Sequence, residues 1–494
     1  MLLVGASLEL RDRYGQTPLI VAPIIGNTEA AKLLVHSNPD LLYLGDNNGL
    51  LPIHIAAQYG QKDVLLFLLN VTCDNLTSCP YDPKSGAQLL HYTIRAELYV
   101  VAIDLVRRYP STIDESYTYP DSITPPLTML ANKPLVFLGQ FNWRARLFYP
   151  SGPATKDKRS QAIQLVKILC EHAGRNHPLD RYKEAFFFAG ENGIVEIVEE
   201  LAETFPDILW VTNGDGRNIF HVAVLYRRGK ILDLVYRIPK AKRYMIRAAP
   251  DRYKNNILHM AGKLPSLNEI GCAALMMQRE VKWFEEVTEF VQPFQRGEKN
   301  DEGKTPEELF DTEHQQLLKQ GEKWIKSTAS ACAIPSVLFA TLVVPSTFAV
   351  LNIQQSYKIG KHADFVGSFA ALAVLTLITS LISLFTFLSI LTSTYTKADF
   401  LNTLPRKVLT GLNSLYFSIS FTTLGLSWLI CRTLLGPDMM LFMGLSGLAT
   451  IPALWFLASQ HVLGKMVFTH FARTEERHPL LFTRSLPTTF QTQR

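Results

Sequence analysis

Two stretches decide the reading: Asp12-Arg-Tyr-Gly15-Gln-Thr17-Pro18-Leu19-Ile20 and, 34 residues on, Asp46-Asn-Asn-Gly49-Leu-Leu-Pro52-Ile53-His54. Each opens with an acidic residue and a glycine, a pair suited to a tight turn. Each then passes through a proline into apolar residues. Proline at the first helical position has no amide hydrogen to satisfy, and its fixed φ suits a helix start. Thr17 is expected to cap the first helix through its hydroxyl. Gly26 recurs as Gly60 at the same offset. One such unit cannot close a core alone, so a fixed period of this size predicts neighbours stacked into an array.

Degenerate copies follow. Gly86, Asp215, Asn255 and Asp301 are read as turn residues ahead of Leu90-His91, Phe220-His221-Val222-Ala223, Leu258-His259-Met260-Ala261 and Thr305-Pro306. An Asp/Gly turn before T-P-L-H-x-A at this period resembles ankyrin repeats. His54, His91, His221 and His259 take the motif's structural position, where the imidazole ties adjacent turns by hydrogen bonds; neither metal ligation nor catalysis is expected of them. Ile20 replaces that histidine in the first copy. Thr128 replaces it in a further copy at Thr124-Pro125-Pro126-Leu127. Ile194, Ile197, Val198, Leu201 and Phe205 recur at the spacing of one buried helix face. The sequence divides into repeats over 1–109, a Pro-rich linker or degenerate repeat over 110–160, and further repeats over 161–318.

The C-terminal third changes character. Four runs without Asp, Glu, Lys or Arg extend over Ser327–Tyr357, Phe365–Thr396, Val408–Cys431 and Met439–Gly464. A bilayer core takes about 20 helical residues, and lipid offers the backbone no hydrogen-bond partner, so helices are expected. The fold class is therefore all-α: a repeat solenoid followed by a four-helix transmembrane domain over 327–464, with a basic tail at 465–494. Lys319, Lys323, Lys326, Lys397, Arg406, Lys407, Lys465, Arg473, Arg477 and Arg484 flank one side, against Lys358, Lys361 and Arg432 on the other. That asymmetry puts both termini in the cytosol. Small residues four apart, Gly367 with Ala371 and Ala449 with Ala453, allow close helix approach and self-association into a homo-oligomer. Pro335, Pro345 and Pro452 are expected to kink their helices.

Charge and chemistry exclude several classes. Lys and Arg number 49 against 44 Asp and Glu, but residues 1–326 are close to neutral, so no nucleic-acid partner is expected. Ten basic residues between Arg227 and Lys254 follow an acidic segment from Glu191 to Asp215. Adjacent repeats of opposite sign then complement each other, or the basic patch contacts acidic lipid or a partner. The six cysteines form no CxxC pair and read as reduced thiols. The opening MLLVGASLELRDR lacks the charged start and long apolar run of a secretory signal. Gly303-Lys304-Thr305 lacks the upstream glycine of a phosphate loop, and Cys170, His172 and His177 lack a fourth ligand. No catalytic residue, cofactor or metal is expected.

The order of segments is more specific than any one motif. GCAALMMQREVKWFEEV at 271–287, NDEGKTPEELF at 300–310 and EKWIKSTASACAIPSVLFATLVVP at 322–345 lead into the apolar runs. This order resembles the plant ankyrin-repeat membrane proteins with a C-terminal PGG domain, the accelerated-cell-death type among them. The Pro-Gly-Gly of that domain is replaced here by Pro345-Ser346-Thr347. Palmitoyltransferases also join ankyrin repeats to four membrane helices, but the segment from Lys397 to Lys407 holds none of their His or Cys. The resemblance implies a multi-pass protein of the plasma membrane, with the endoplasmic reticulum as the alternative. It implies a scaffold that binds cytosolic protein partners in defence, cell-death or stress signalling, with no catalytic residues to transfer. An ion channel gated by its repeats is the other reading.

Overall fold

The computed structural model describes residues 8–72, 80–113, 117–119, 122–138, 153–176, 178–265, 272–356, 363–401 and 403–434. The described residues are helical apart from one antiparallel hairpin, Tyr117–Tyr119 with Ser122–Thr124, which pairs Thr118 with Ile123. Two compact units divide the chain: residues 1–265 with 291–307, and 266–290 with 308–494.

The first unit is a stack of short helix pairs. Its N-terminal pairs are α1 (Pro18–Ile25) with α2 (Thr28–Ser37), α3 (Pro52–Gln58) with α4 (Lys62–Val71), and α5 (Pro83–Arg95) with α6 (Tyr99–Arg108). Within the stretch 110–160 lie α7 (Pro126–Ala131) and α8 (Pro134–Leu138). A longer helix, α9 (Pro153–Asn176), precedes α10 (Lys183–Asn192) and α11 (Val195–Thr204). The unit continues with α12 (Ile219–Leu225), α13 (Gly229–Leu232), α14 (Lys240–Ala248) and α15 (Ile257–Gly262). Apolar faces meet as the spacing requires: Ile194, Ile197, Val198 and Leu201 are fully buried.

The turns repeat with atomic fidelity, in a register that differs from the expected one. Asp12 Oδ1 accepts the amides of Tyr14 and Gln16, both at 2.8 Å. Asp46 does the same for Asn48 and Leu50, Asn213 for Asp215 and Arg217, Asp251 for Tyr253 and Asn255, and Asn300 for Glu302 and Lys304. The turn acceptors are therefore Asn213, Asp251 and Asn300, not Asp215, Asn255 and Asp301. The side chain must precede the amides it binds by two and four residues, and only these positions do so. Gly86 is not a turn residue either; it lies inside α5.

Each turn has a left-handed residue three places after the acceptor: Gly15, Gly49, Gly216, Lys254 and Gly303. A second left-handed position joins the helices of a pair at Gly26, Gly60, Glu97, Gly193 and Arg227. Three of these ten positions carry a side chain, which is why glycine spacing alone obscures the later copies.

In the second unit, α16 (Ala273–Phe290) packs with the lower turns of a long helix, α17 (Pro306–Ser356), and with residues 393–401. Gln278 Nε2 donates to the Leu401 carbonyl at 3.2 Å, and Lys397 meets Asp311 at 2.8 Å. Phe310 stacks on His314 with ring centres 3.9 Å apart, and His314 faces the buried carboxylate of Glu280. The segment 273–290, read from sequence as part of the repeats, thus clusters with the apolar helices. Its 18 residues exceed a repeat helix, and Met277 and Val281 are buried in this unit.

Two helical stretches, Pro306–Phe348 and Gly367–Thr392, each hold an 18-residue window long and apolar enough to cross a membrane, of mean hydropathy 1.8 and 2.3. The second belongs to α18 (Ala363–Thr392). The third expected run falls within α19 (Thr403–Leu434), where Asn413 and a series of Ser and Thr dilute the apolar character. Met439–Gly464 and the tail lie outside the described residues, as do Pro452, Ala449 and Ala453. Helix α17 continues through Pro335 and Pro345.

Glycine geometry predicts unequal costs at equivalent turns. A Cβ at Gly216 sits 2.8 Å from the Arg252 amide nitrogen, whereas at Gly303 it meets open space. Gly303→Ala is expected to cost about 1 kcal/mol for its left-handed backbone. Gly216→Ala adds a backbone clash and is expected to cost at least twice as much. Denaturant unfolding of the two variants measures the difference.

Candidate protein-binding surface of the repeat array

Consecutive turns are joined edge to edge. The Asn47 amide donates to the Tyr14 carbonyl at 3.1 Å, Arg252 to Asp215 at 3.0 Å, and Asp301 to Tyr253 at 3.1 Å. These bonds align the turns as fingers along one edge. Between the bonds, Tyr14 and Tyr253 stay about half exposed, and Arg13 stacks its guanidinium over the Tyr14 ring at 4.6 Å. Tyr59, at the end of α3, is 52% exposed. Aromatic side chains on a rigid edge suit protein recognition, because they bring large contact area at low entropic cost.

The histidines are structural. His54 is buried; its Nδ1 accepts the Leu51 amide at 3.2 Å and its Nε2–H donates to the Ser85 carbonyl of the next helix pair at 3.0 Å. His259 repeats this, taking the Asn256 amide and donating to the Lys304 carbonyl at 3.1 Å. His221 bonds Asn218 Oδ1 at 2.9 Å, and that oxygen also accepts the amides of Phe220 and His221. Burial draws His54 and His221 down to about 4, and His91 likewise. His259 is lowered for the same reason, partly offset by the Lys304 carbonyl.

The first repeat departs from expectation. Thr17 begins α1 but makes no side-chain cap, and its buried hydroxyl has no hydrogen-bond partner. Ile20 stands where the later copies hold histidine, so the polar ring is missing from this turn. Thr128 is buried with its hydroxyl likewise unbonded.

Much of the basic segment serves the backbone. Arg227 donates to the carbonyls of Val224, Leu225, Ala261 and Lys263, the last at 2.7 Å, so it caps one helix end and grips the next. Arg228 donates to Glu191 O at 2.7 Å, and Arg243 to Tyr236 O and Ile238 O. Complementation between the acidic and basic segments is limited to Arg237 with Glu199 at 2.9 Å among the ion pairs described. Glu196 and Glu200 instead pair with Arg159 and Lys167 of α9. A cavity of about 220 Å³ lies between α9, α11 and α13, walled by the Arg159–Glu196 and Arg237–Glu199 pairs. Its walls are mutually neutralised. Burial raises the Glu199 carboxyl, with Arg237 opposing.

Among the described residues, no group of three His, Cys, Asp or Glu side chains is placed to hold a metal. His177 lies outside them. Burial pushes the Cys170 thiol up to about 12, which leaves it a packing residue rather than a nucleophile. Gly303-Lys304-Thr305 is the last finger, its Lys304 amide bound to Asn300.

The apolar helices meet along a hydroxyl seam. Ser336 Oγ lies 2.9 Å from Ser383 Oγ, Ser383 donates to the Gly411 carbonyl at 3.0 Å, and Ser380 bonds Ser418. All four serines are fully buried. Gly411 permits the approach, since a Cβ there meets the Phe387 ring at 2.9 Å. Gly367 and Ala371, expected at a helix contact, are exposed in the described structure. Ser346 and Thr347 return their hydroxyls to Leu342 and Val343, so the helix runs on where Pro-Gly-Gly would loosen it.

The chain carries ankyrin repeats. A family model described as "Ankyrin repeats (3 copies)" matches residues 1–79. Among solved structures the chain is similar to an ankyrin repeat protein from Leishmania major, 14% identical, over 62% of this chain and 97% of that one. The TM-score is 0.27, a superposition too loose to support an inference. No curated protein matches the chain.

The buried histidines set a pH dependence. Each binds its proton in the unfolded chain near 6.5 and in the folded chain only near 4. Stability is therefore full above about 6.5 and falls as pH drops toward 4, by up to about 3 kcal/mol per histidine. Denaturant unfolding followed from neutral to acid pH is expected to lose stability, with an uptake on unfolding of about three protons from His54, His91 and His221. A flat profile contradicts the neutral buried rings.

Proposed function

We propose that this chain is a membrane-anchored ankyrin-repeat scaffold that holds cytosolic protein partners and performs no catalysis. One observation carries the reading. The array commits its buried histidines, turn carboxylates and several arginines to its own backbone, while the finger edge leaves Tyr14 and Tyr253 in solvent. Such a surface binds proteins rather than turning over a substrate. Two helices of membrane length support the anchor, and the sequence's four apolar runs extend it to four spans with both termini cytosolic. Anchoring raises the local concentration of a captured partner without any new contact. The segment order shared with plant accelerated-cell-death proteins supports a place in defence, cell-death or stress signalling, at the plasma membrane or endoplasmic reticulum. The hydroxyl seam favours a scaffold over an ion path, because its serines bond one another and the Gly411 backbone.

Two measurements test this. Alkaline carbonate is expected to leave the intact chain in the membrane pellet, and release into the supernatant refutes the anchor. Proximity labelling from the N-terminus is expected to lose a defined set of proteins in the Tyr14→Ala/Tyr253→Ala variant at unchanged abundance. An unchanged set refutes binding at the finger edge. Ion flux through the purified, reconstituted chain supports the channel instead.

A further inference from the structure

Helix α14 (Lys240–Ala248) is turned against its own composition. Ile246 is buried at 2% exposure, and its carbonyl accepts Asn218 Nδ2 at 3.0 Å. Arg243 is partly buried on backbone carbonyls, and the Nε of Arg247 is shielded from solvent. The arginines thus sit on the side toward the repeats. The outer side shows Tyr244 at 54% and Met245 at 61% exposure, with Lys240 and Lys242 exposed beside them. Lys240 and Tyr244 are four apart and share one face. Neither lysine is ion-paired among the described residues. An amphipathic helix in a soluble array directs its apolar residues inward; here one apolar residue goes in while an aromatic and a thioether go out among cations.

We infer that this face of α14, Lys240, Lys242, Tyr244 and Met245, rests on the anionic surface of a lipid bilayer. The two lysines reach lipid phosphates and carboxylates, while Tyr244 and Met245 enter the interfacial layer, where an amphipathic ring and an apolar chain are both accommodated. Lysines that flank the exposed pair on either side are attracted to such a surface within a Debye length. An acidic peptide is less well served: carboxylates would meet the lysines but leave the exposed ring and thioether in water, whereas the bilayer interface takes both. The inference rests on the membrane-anchored reading and adds a second, reversible contact between the repeat array and lipid.

The test uses the full chain in nanodiscs of phosphatidylcholine with and without phosphatidylserine, read by hydrogen exchange over residues 240–248. Phosphatidylserine is expected to slow exchange there roughly tenfold at low salt, with the effect lost at high salt. Lys240→Glu/Lys242→Glu is expected to abolish the slowing while exchange at the buried turns stays unchanged, which separates it from misfolding. Tyr244→Ser/Met245→Ser retains the salt dependence and weakens the protection. Equal exchange in both lipids overturns the inference and leaves the anchor standing, whereas failure to enter nanodiscs removes both. Protection produced by added polyglutamate but not by phosphatidylserine assigns the face to an acidic protein and also overturns it.

Discussion

A single side-chain oxygen, placed at the start of each finger, carries the architecture of the repeat unit. It accepts two backbone amides two and four residues on, and so holds open a turn whose residue three places after the acceptor is left-handed. Five turns share this geometry with Asp12, Asp46, Asn213, Asp251 or Asn300 as acceptor. A carboxylate and a carboxamide serve equally, because the turn asks only for one acceptor oxygen on a short side chain. With the turn fixed, the next finger can bond its edge, as Asn47 does to Tyr14. Where a histidine stands eight residues after the acceptor, as His54 and His259 do, it reaches across to the neighbouring pair. Local turn chemistry, lateral bonding and helix stacking are one mechanism seen at three scales.

The same economy accounts for the buried histidines and much of the basic segment. An imidazole that must accept an amide and donate to a carbonyl is held neutral by burial and is closed to metals and substrates. Arginines such as Arg227 neutralise unbonded helix carbonyls, a role usually left to glycine and water. A run that looks like a cationic patch is therefore partly internal scaffolding, and the charge remaining for partners is smaller and more local than the count implies. Polar groups in the apolar unit follow a similar logic. Serine hydroxyls between α17, α18 and α19 satisfy each other or a carbonyl exposed by Gly411, and so tie the three helices together.

Periodicity, proline placement and charge-free runs were enough to recognise the repeats, the helical class and the change in character after residue 326. These are local signals: a turn, a cap position or a hydropathy average needs only neighbouring residues. The register of the degenerate turns was harder to see. Asp215, Asn255 and Asp301 are conspicuous in the sequence, but the working acceptors lie one to four residues earlier, and Lys254 hides a left-handed position behind a lysine. Counting back eight residues from each histidine would have found Asn213 and Asp251. No such anchor exists at Asn300, where position 308 is glutamate.

What the sequence decided by itself is the kind of element each segment forms, because turn, helix and apolar length follow from the residues alone. Tertiary structure decided which residues face which. It drew the helix 273–290 into the unit of the apolar helices, left Gly367 and Ala371 exposed, and placed serines at the helix contact instead. It also turned the arginines of α14 inward and its tyrosine outward. Burial is a property of neighbours distant in sequence, and no periodicity within a segment specifies which of two available faces those neighbours will cover.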